Sequence, residues 1–236
     1  MRLWLGLICA LLGATPALSL DCSDRSVRSA VSATASDATY FRSAFDRCSY
    51  LLAARDEDFF RALDDDQRAL VWAVIAAHNY RPYGNSMAFR LPDLLSEKHL
   101  DCDNYVLLAI RLFRLLRPDA KLDVDMVGWE GGLVGNHAQI VANHPTTPLL
   151  VDPTVGIVAK ISFDDLASGK NVDPEDLLVL SQRNDPPGFR EKVEKALLSG
   201  AYRPSHILYY FNDPDDYPAA IATVKTWPTP AIQERR

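Results

Sequence analysis

The chain has 236 residues, with 25 lysines and arginines against 31 aspartates and glutamates, a formal charge of −6 and a hydrophobic share of 48%. That length suits one domain with a full core, or a core with appendages. The acidic balance excludes the basic footprint of a nucleic-acid binder, and no apolar run after residue 20 is long enough to span a bilayer.

The first twenty residues read as a secretory signal peptide outside the fold. Arg2 supplies a minimal positive end and Leu3 to Leu12 an apolar stretch of the right length. Thr15-Pro16-Ala17-Leu18-Ser19 then places a helix breaker and small residues before a cleavage point near Ser19. The expectation is a secreted or periplasmic protein, with no membrane attachment after cleavage. Asp21 argues against lipid anchoring at Cys22. Cys9 leaves with this segment, so Cys22, Cys48 and Cys102 remain in an oxidising compartment, and an odd count leaves one thiol unpaired within the chain. Cys22 and Cys48 share the N-terminal segment and are expected to bond to each other. Cys102 is then the free thiol; a bond from Cys102 to either of them is the alternative.

Residues 21–64 form an N-terminal helical segment in this reading. Tyr40, Phe41, Phe45, Tyr50, Leu51 and Leu52 recur at roughly helical spacing, and Phe59, Phe60 and Leu63 continue it weakly. Asp64-Asp65-Asp66 is a helix start rather than a metal site, since carboxylates suit the positive end of the helix dipole. Leu70, Val71, Val74, Ile75 and His78 mark a helix over about 65–79. Arg81-Pro82-Tyr83-Gly84-Asn85 is turn chemistry. Asp101 can cap a buried helix running from Cys102 to about Leu116, stopped by Pro118. Lys121 to Trp129 alternates as a strand, Glu130-Gly131-Gly132 turns, Leu133 to Ala142 is a second strand, and Leu149 to Asp152 a third.

These helices and strands, residues 65–160, make the core. Residues 161–236 read as a C-terminal extension packed on it, with a helix over Phe189 to Leu198 and a strand over Ile207 to Phe211. Pro214, Pro218, Pro228 and Pro230 predict a poorly ordered tail.

Three residues carry the chemistry: Cys102, His137 and Asp152. A cysteine in the first turn of a helix is favoured as thiolate by the unsatisfied N–H groups and the dipole. Centring the second turn near residues 144–145 gives strand pairs that sum to about 289 and sets His137 opposite Asp152 on one face. A thiolate attacks, an imidazole carries the proton, and a carboxylate orients the imidazole. Each residue also has a structural alternative: a small core cysteine, a strand histidine bonded to a carbonyl, an aspartate closing a turn. His99 is a secondary candidate, His144 lies in a turn, and His78 and His206 are assigned to structure. The spacings fit no metal, and none is proposed.

At these residues the chain resembles the transglutaminase-like superfamily of papain-type thiol enzymes. The likeness rests on Asp101-Cys102-Asp103-Asn104-Tyr105-Val106-Leu107, on the His137 strand with Gln139 and Val141, and on Leu150-Val151-Asp152-Pro153-Thr154-Val155-Gly156. It implies an α+β fold in which the cysteine helix packs on an antiparallel sheet carrying the histidine and aspartate. It also implies a Cys-His-Asp triad with no cofactor. The substrate would be a protein or peptide amide, resolved by water or by an amine, with hydrolysis favoured because nothing in the sequence excludes water. Tyr80 or Asn85 in the upstream loop is a candidate second oxyanion donor. The alternative is a catalytically inactive member that binds a peptide or an envelope partner.

Overall fold

The computed structural model describes residues 22–131, 135–180 and 188–226. The expected signal peptide, the turn residue Gly132, and Pro228 and Pro230 lie outside them.

The protein is α+β. Six helices precede the sheet: α1 (Asp24–Ala33), α2 (Thr39–Arg55), α3 (Glu57–Arg61), α4 (Asp65–His78), α5 (Leu91–Ser96) and α6 (Cys102–Leu116). Then come β1 (Asp123–Gly131), β2 (Gly135–Asn143), β3 (Leu149–Asp152) and β4 (Ile157–Ala159). They are followed by α7 (Phe163–Ser168), β5 (Leu177–Val179), α8 (Phe189–Leu198), β6 (His206–Phe211) and α9 (Tyr217–Thr226). The strands form one antiparallel sheet in the order β5-β4-β3-β2-β1-β6.

The long helices start where the sequence says they should. Asp64 accepts from the Gln67 backbone N–H while the Gln67 side chain returns a bond to the Asp64 N–H, which is a capping box for α4. Asp101 and Asn104 repeat the device for α6. Asp66, third in the acidic triplet, pairs with Arg117 at 2.8 Å and accepts from the Lys121 N–H. Cys22 and Cys48 form the expected disulfide, which ties the start of α1 to α2. Among the described residues Cys102 is the free cysteine.

Strand alternation splits the core into two layers. Ala138, Ile140 and Ala142 of β2 point with Val124, Met126, Leu149 and Val151 into the layer filled by α4 and α6. Val127, Trp129, Val141, Leu150 and Ile157 face the other way, onto Leu166 of α7, Val193, Ala196 and Leu197 of α8, and Tyr202. The sheet thus has helices on both faces.

Three expectations need correction. The β2–β3 pairs are Ile140↔Val151, Val141↔Leu150 and Ala142↔Leu149, so the register sum is 291 and not about 289. The connection is longer than a tight turn, because His144 Nδ1 accepts from the Thr146 and Thr147 N–H groups and spreads it over 144–148. Secondly, residues 161–236 are no appendage to a finished sheet, since β5 and β6 form its two edges. Thirdly, the part of the expected poorly ordered tail that lies among the described residues, 214–226, is a short 3-10 turn over Pro214–Asp216 followed by α9. Pro218 sits in the first turn of α9, where a missing N–H costs nothing. Arg111 and Arg114 of α6 hold this segment through Asp215 at 2.7 Å and Asp213 at 3.2 Å.

Among the described residues no helix is long and apolar enough to cross a membrane.

Candidate active site

Cys102 is the first residue of α6, His137 the third of β2, and Asp152 the last of β3. The structure brings the three together in one chain of contacts. The Cys102 side chain lies close enough to His137 for each to act on the other's protonation. His137 Nε2 meets Asp152 Oδ2 at 2.7 Å, with the two side chains 2% and 1% exposed. Because Nε2 is taken by the carboxylate, Nδ1 is the nitrogen left to exchange a proton with the thiol.

The corrected register explains how the pair forms. A shift of two residues keeps every side chain on its own face, whereas a shift of one would have put His137 and Asp152 on opposite sides. His137 and Asp152 are therefore diagonal neighbours, a separation that long side chains reach across. At a pair sum of 291, the residue level with Asp152 is Gln139, whose Nε2 also bonds Asp152 Oδ2 at 3.1 Å.

The carboxylate is held from all sides. Oδ1 accepts from the Thr154 N–H at 3.1 Å and the Val155 N–H at 3.3 Å, closing a local turn. That turn is pinned from behind by buried His78 of α4, whose Nδ1 lies 2.9 Å from the Pro153 carbonyl. Gly156 completes it at φ +67°, where a β-carbon would stand 3.1 Å from His78 Nε2. The structural role assigned to His78 is thus specific: it fixes the turn that aims Asp152.

Aromatic rings close around the imidazole. Trp129 packs edge-on with its centroid 6.2 Å away, and Phe189, the first residue of α8, does the same at 5.2 Å. On the helix side, Tyr209 lies against Gly128, where even a β-carbon would collide with its ring. Its hydroxyl bonds Asp103, as does that of Tyr217 at 2.7 Å. Two tyrosines from the C-terminal region thus hold the residue beside the cysteine. The sequence marked neither tyrosine as part of the site. The signal was Asp103 itself, a carboxylate in a half-buried helix start that required donors.

Protonation departs from the expectation of a thiol activated by its helix position alone. Burial pushes the Cys102 thiol up; the His137 bond opposes this, while Asp103 and Asp101 add to it. Burial also disfavours the His137 imidazolium, but the Asp152 carboxylate outweighs it, and the pKa is pushed up to about 10. At neutral pH the imidazole therefore carries its proton, and burial is the largest influence on the sulfur. Desolvation pushes Asp101 up to about 6, against the bond it accepts from the Asn104 N–H and the smaller pull of the Ser86 and Asp103 N–H groups, and the Asp103 charge adds to the rise. Its ionised form is thus disfavoured in the folded state, a penalty that grows as pH rises from 3.8 through 6 and is complete above. Asp101→Asn keeps a capping oxygen. It is expected to stabilise the fold above pH 6, leave it unchanged near pH 4, and speed iodoacetamide alkylation of Cys102 a few-fold at pH 7. Urea unfolding at the two pH values and the alkylation rate check this.

Tyr80 is not an oxyanion donor: it is buried and its hydroxyl bonds the Leu95 carbonyl at 2.7 Å. Asn85 is exposed in the loop that leads to Asp101. His99 packs over Gly84. Among the described residues no three or more His, Cys, Asp and Glu side chains group to hold a metal ion. Compared with family models, with curated proteins and with solved structures, the chain matches none.

Proposed function

We propose that the protein is a secreted or periplasmic thiol enzyme of transglutaminase-like type acting on amide bonds of a protein or peptide. The observation that carries this is the grouping of Cys102, His137 and Asp152, with a free thiol at a helix start beside an imidazole clamped to a buried carboxylate. The pair reacts with its one shared proton on His137: Sγ attacks the carbonyl carbon as the thiolate, and the oxygen that gains charge lies near the Cys102 N–H, one of the helix's unsatisfied donors. His137 delivers its proton to the departing amine as the C–N bond breaks, leaving a thioester. Water, or a second amine, then attacks the thioester; His137 takes its proton and Sγ leaves. Asp152 fixes the tautomer and the orientation of the ring.

The test is mass spectrometry of protein incubated with activated acyl amides and peptide substrates. A mass gain located on Cys102, absent in Cys102→Ala, supports the reading; turnover that persists in the alanine variant rejects it. The upward push on the buried thiol favours a second reading, a peptide-binding module with the same fold and no chemistry. A module of that kind binds peptide equally well after Cys102→Ala and shows no difference in alkylation between wild type and His137→Ala.

A further inference from the structure

Gln139 is fully buried beside the pair, at 0% exposure. Its Oε1 accepts from Trp129 Nε1 at 3.0 Å. Its Nε2 donates to Asp152 Oδ2 at 3.1 Å and to the Tyr202 hydroxyl at 2.7 Å. The orientation of this amide is dictated from both ends. An indole N–H can only donate, and an ionised carboxylate can only accept, so a flipped amide would lose both bonds. The four donors then fill Asp152: His137 and Gln139 on Oδ2, Thr154 and Val155 on Oδ1.

We propose that Gln139, set by Trp129 and Tyr202, is a positioning residue that locks the carboxylate partner of His137. It acts through Asp152 and touches no reacting atom. The proposal rests on the acyl-transfer reading and adds to it a part played by the C-terminal region, which supplies Tyr202. A buried polar network with every member satisfied holds one arrangement; remove a member and the rest are left unpaired in a low-dielectric site.

Gln139→Leu and Gln139→Glu separate positioning from packing. Leucine removes all three amide hydrogen bonds, and alkylation of Cys102 at pH 6 is expected to slow by about tenfold, the size of effect expected for losing such a supporting partner. Glutamic acid in its protonated form can still accept from Trp129 and donate to Asp152. Once it ionises, two carboxylates share the site and repel. The His137 Nε2–H resonance in Gln139→Glu is therefore expected to match wild type at acid pH and to move in a new step as pH rises. Neither wild type nor the leucine variant has that step. Trp129→Phe, which removes the donor that sets Oε1 and keeps a smaller aromatic ring in its place, is expected to slow alkylation less and in the same direction.

A His137 resonance and a thiol rate that stay at wild-type values in folded Gln139→Glu and Trp129→Phe overturn the proposal. If the wild type forms no acyl-enzyme while Gln139→Glu still moves the His137 resonance, the positioning holds and the acyl-transfer reading alone falls.

Discussion

Asp152→Asn is expected to lower the rate of Cys102 acylation by a factor on the order of 10⁴, the size seen when a triad carboxylate is exchanged for an amide. The loss follows from the four donors around Asp152. An asparagine has one accepting end and one donating end. Turned one way, its NH₂ faces the Thr154 and Val155 N–H groups and breaks the turn that His78 supports. Turned the other way, the NH₂ faces Gln139 and His137, so Nε2 must become an acceptor and the ring proton moves to Nδ1. A neutral imidazole with its proton on Nδ1 has no lone pair for the thiol. Neither orientation leaves a working site.

The same substitution gives a stability signature with a definite pH window. His137 is raised from 6.5 to about 10 in the folded protein, with Asp152 the chief opponent of the burial that would lower it. A raised pKa contributes stability that is complete below about pH 6.5 and is lost as pH climbs toward 10. Asp152→Asn removes that contribution. Urea midpoints of wild type and variant should therefore differ most near pH 6 and converge near pH 10. A gap that is constant over this range would mean that Asp152 acts by packing alone. Acylation of the variant at more than a tenth of the wild-type rate would mean that the carboxylate is dispensable.

The sequence was legible where local chemistry and periodicity agree. Cys102–Leu116, Leu149–Asp152 and Phe189–Leu198 are bounded in the structure as their patterns predict, because caps, a stop proline and an apolar run each mark an end. The face shared by His137 and Asp152 was also readable, since parity depends only on an odd register sum. The sum itself was not, because it depends on His144 gathering two backbone N–H groups in the connection. The short strands β4 and β5 lack alternation of their own and are strands because β3 offers an edge to β4, and β4 in turn to β5. Tyr202, Tyr209 and Tyr217 joined the site through contacts spanning from 63 to 114 residues, which no local pattern encodes. Crowding at Gly128, where Tyr209 leaves no room for a side chain, is likewise visible only once β6 lies beside β1.

Those long contacts make the second strong prediction: a chain ending at Lys160 should not fold. Cutting there removes β6 from beside β1 and exposes a row of unpaired backbone groups on the strand that carries Trp129. It also strips Leu166, Val172, Val193, Leu197 and Tyr202 from the sheet face made by Val127, Trp129, Val141, Leu150 and Ile157. Five large side chains at about 1.5–3 kcal/mol each match the whole net stability of a domain, about 5–15 kcal/mol. The polar losses fall on the same place. Gln139 loses Tyr202, Asp103 loses both tyrosines, and His137 loses the ring of Phe189. The truncated chain is expected to show no cooperative urea transition and no near-ultraviolet circular dichroism, while Tyr202→Phe in the full chain keeps both. A cooperative transition in the truncated chain, with Cys102 still coupled to His137, would make the part up to Lys160 self-sufficient and reduce the later strands to decoration. The geometry argues otherwise: the face of the sheet that carries the histidine and the aspartate is buried only because the C-terminal region covers it.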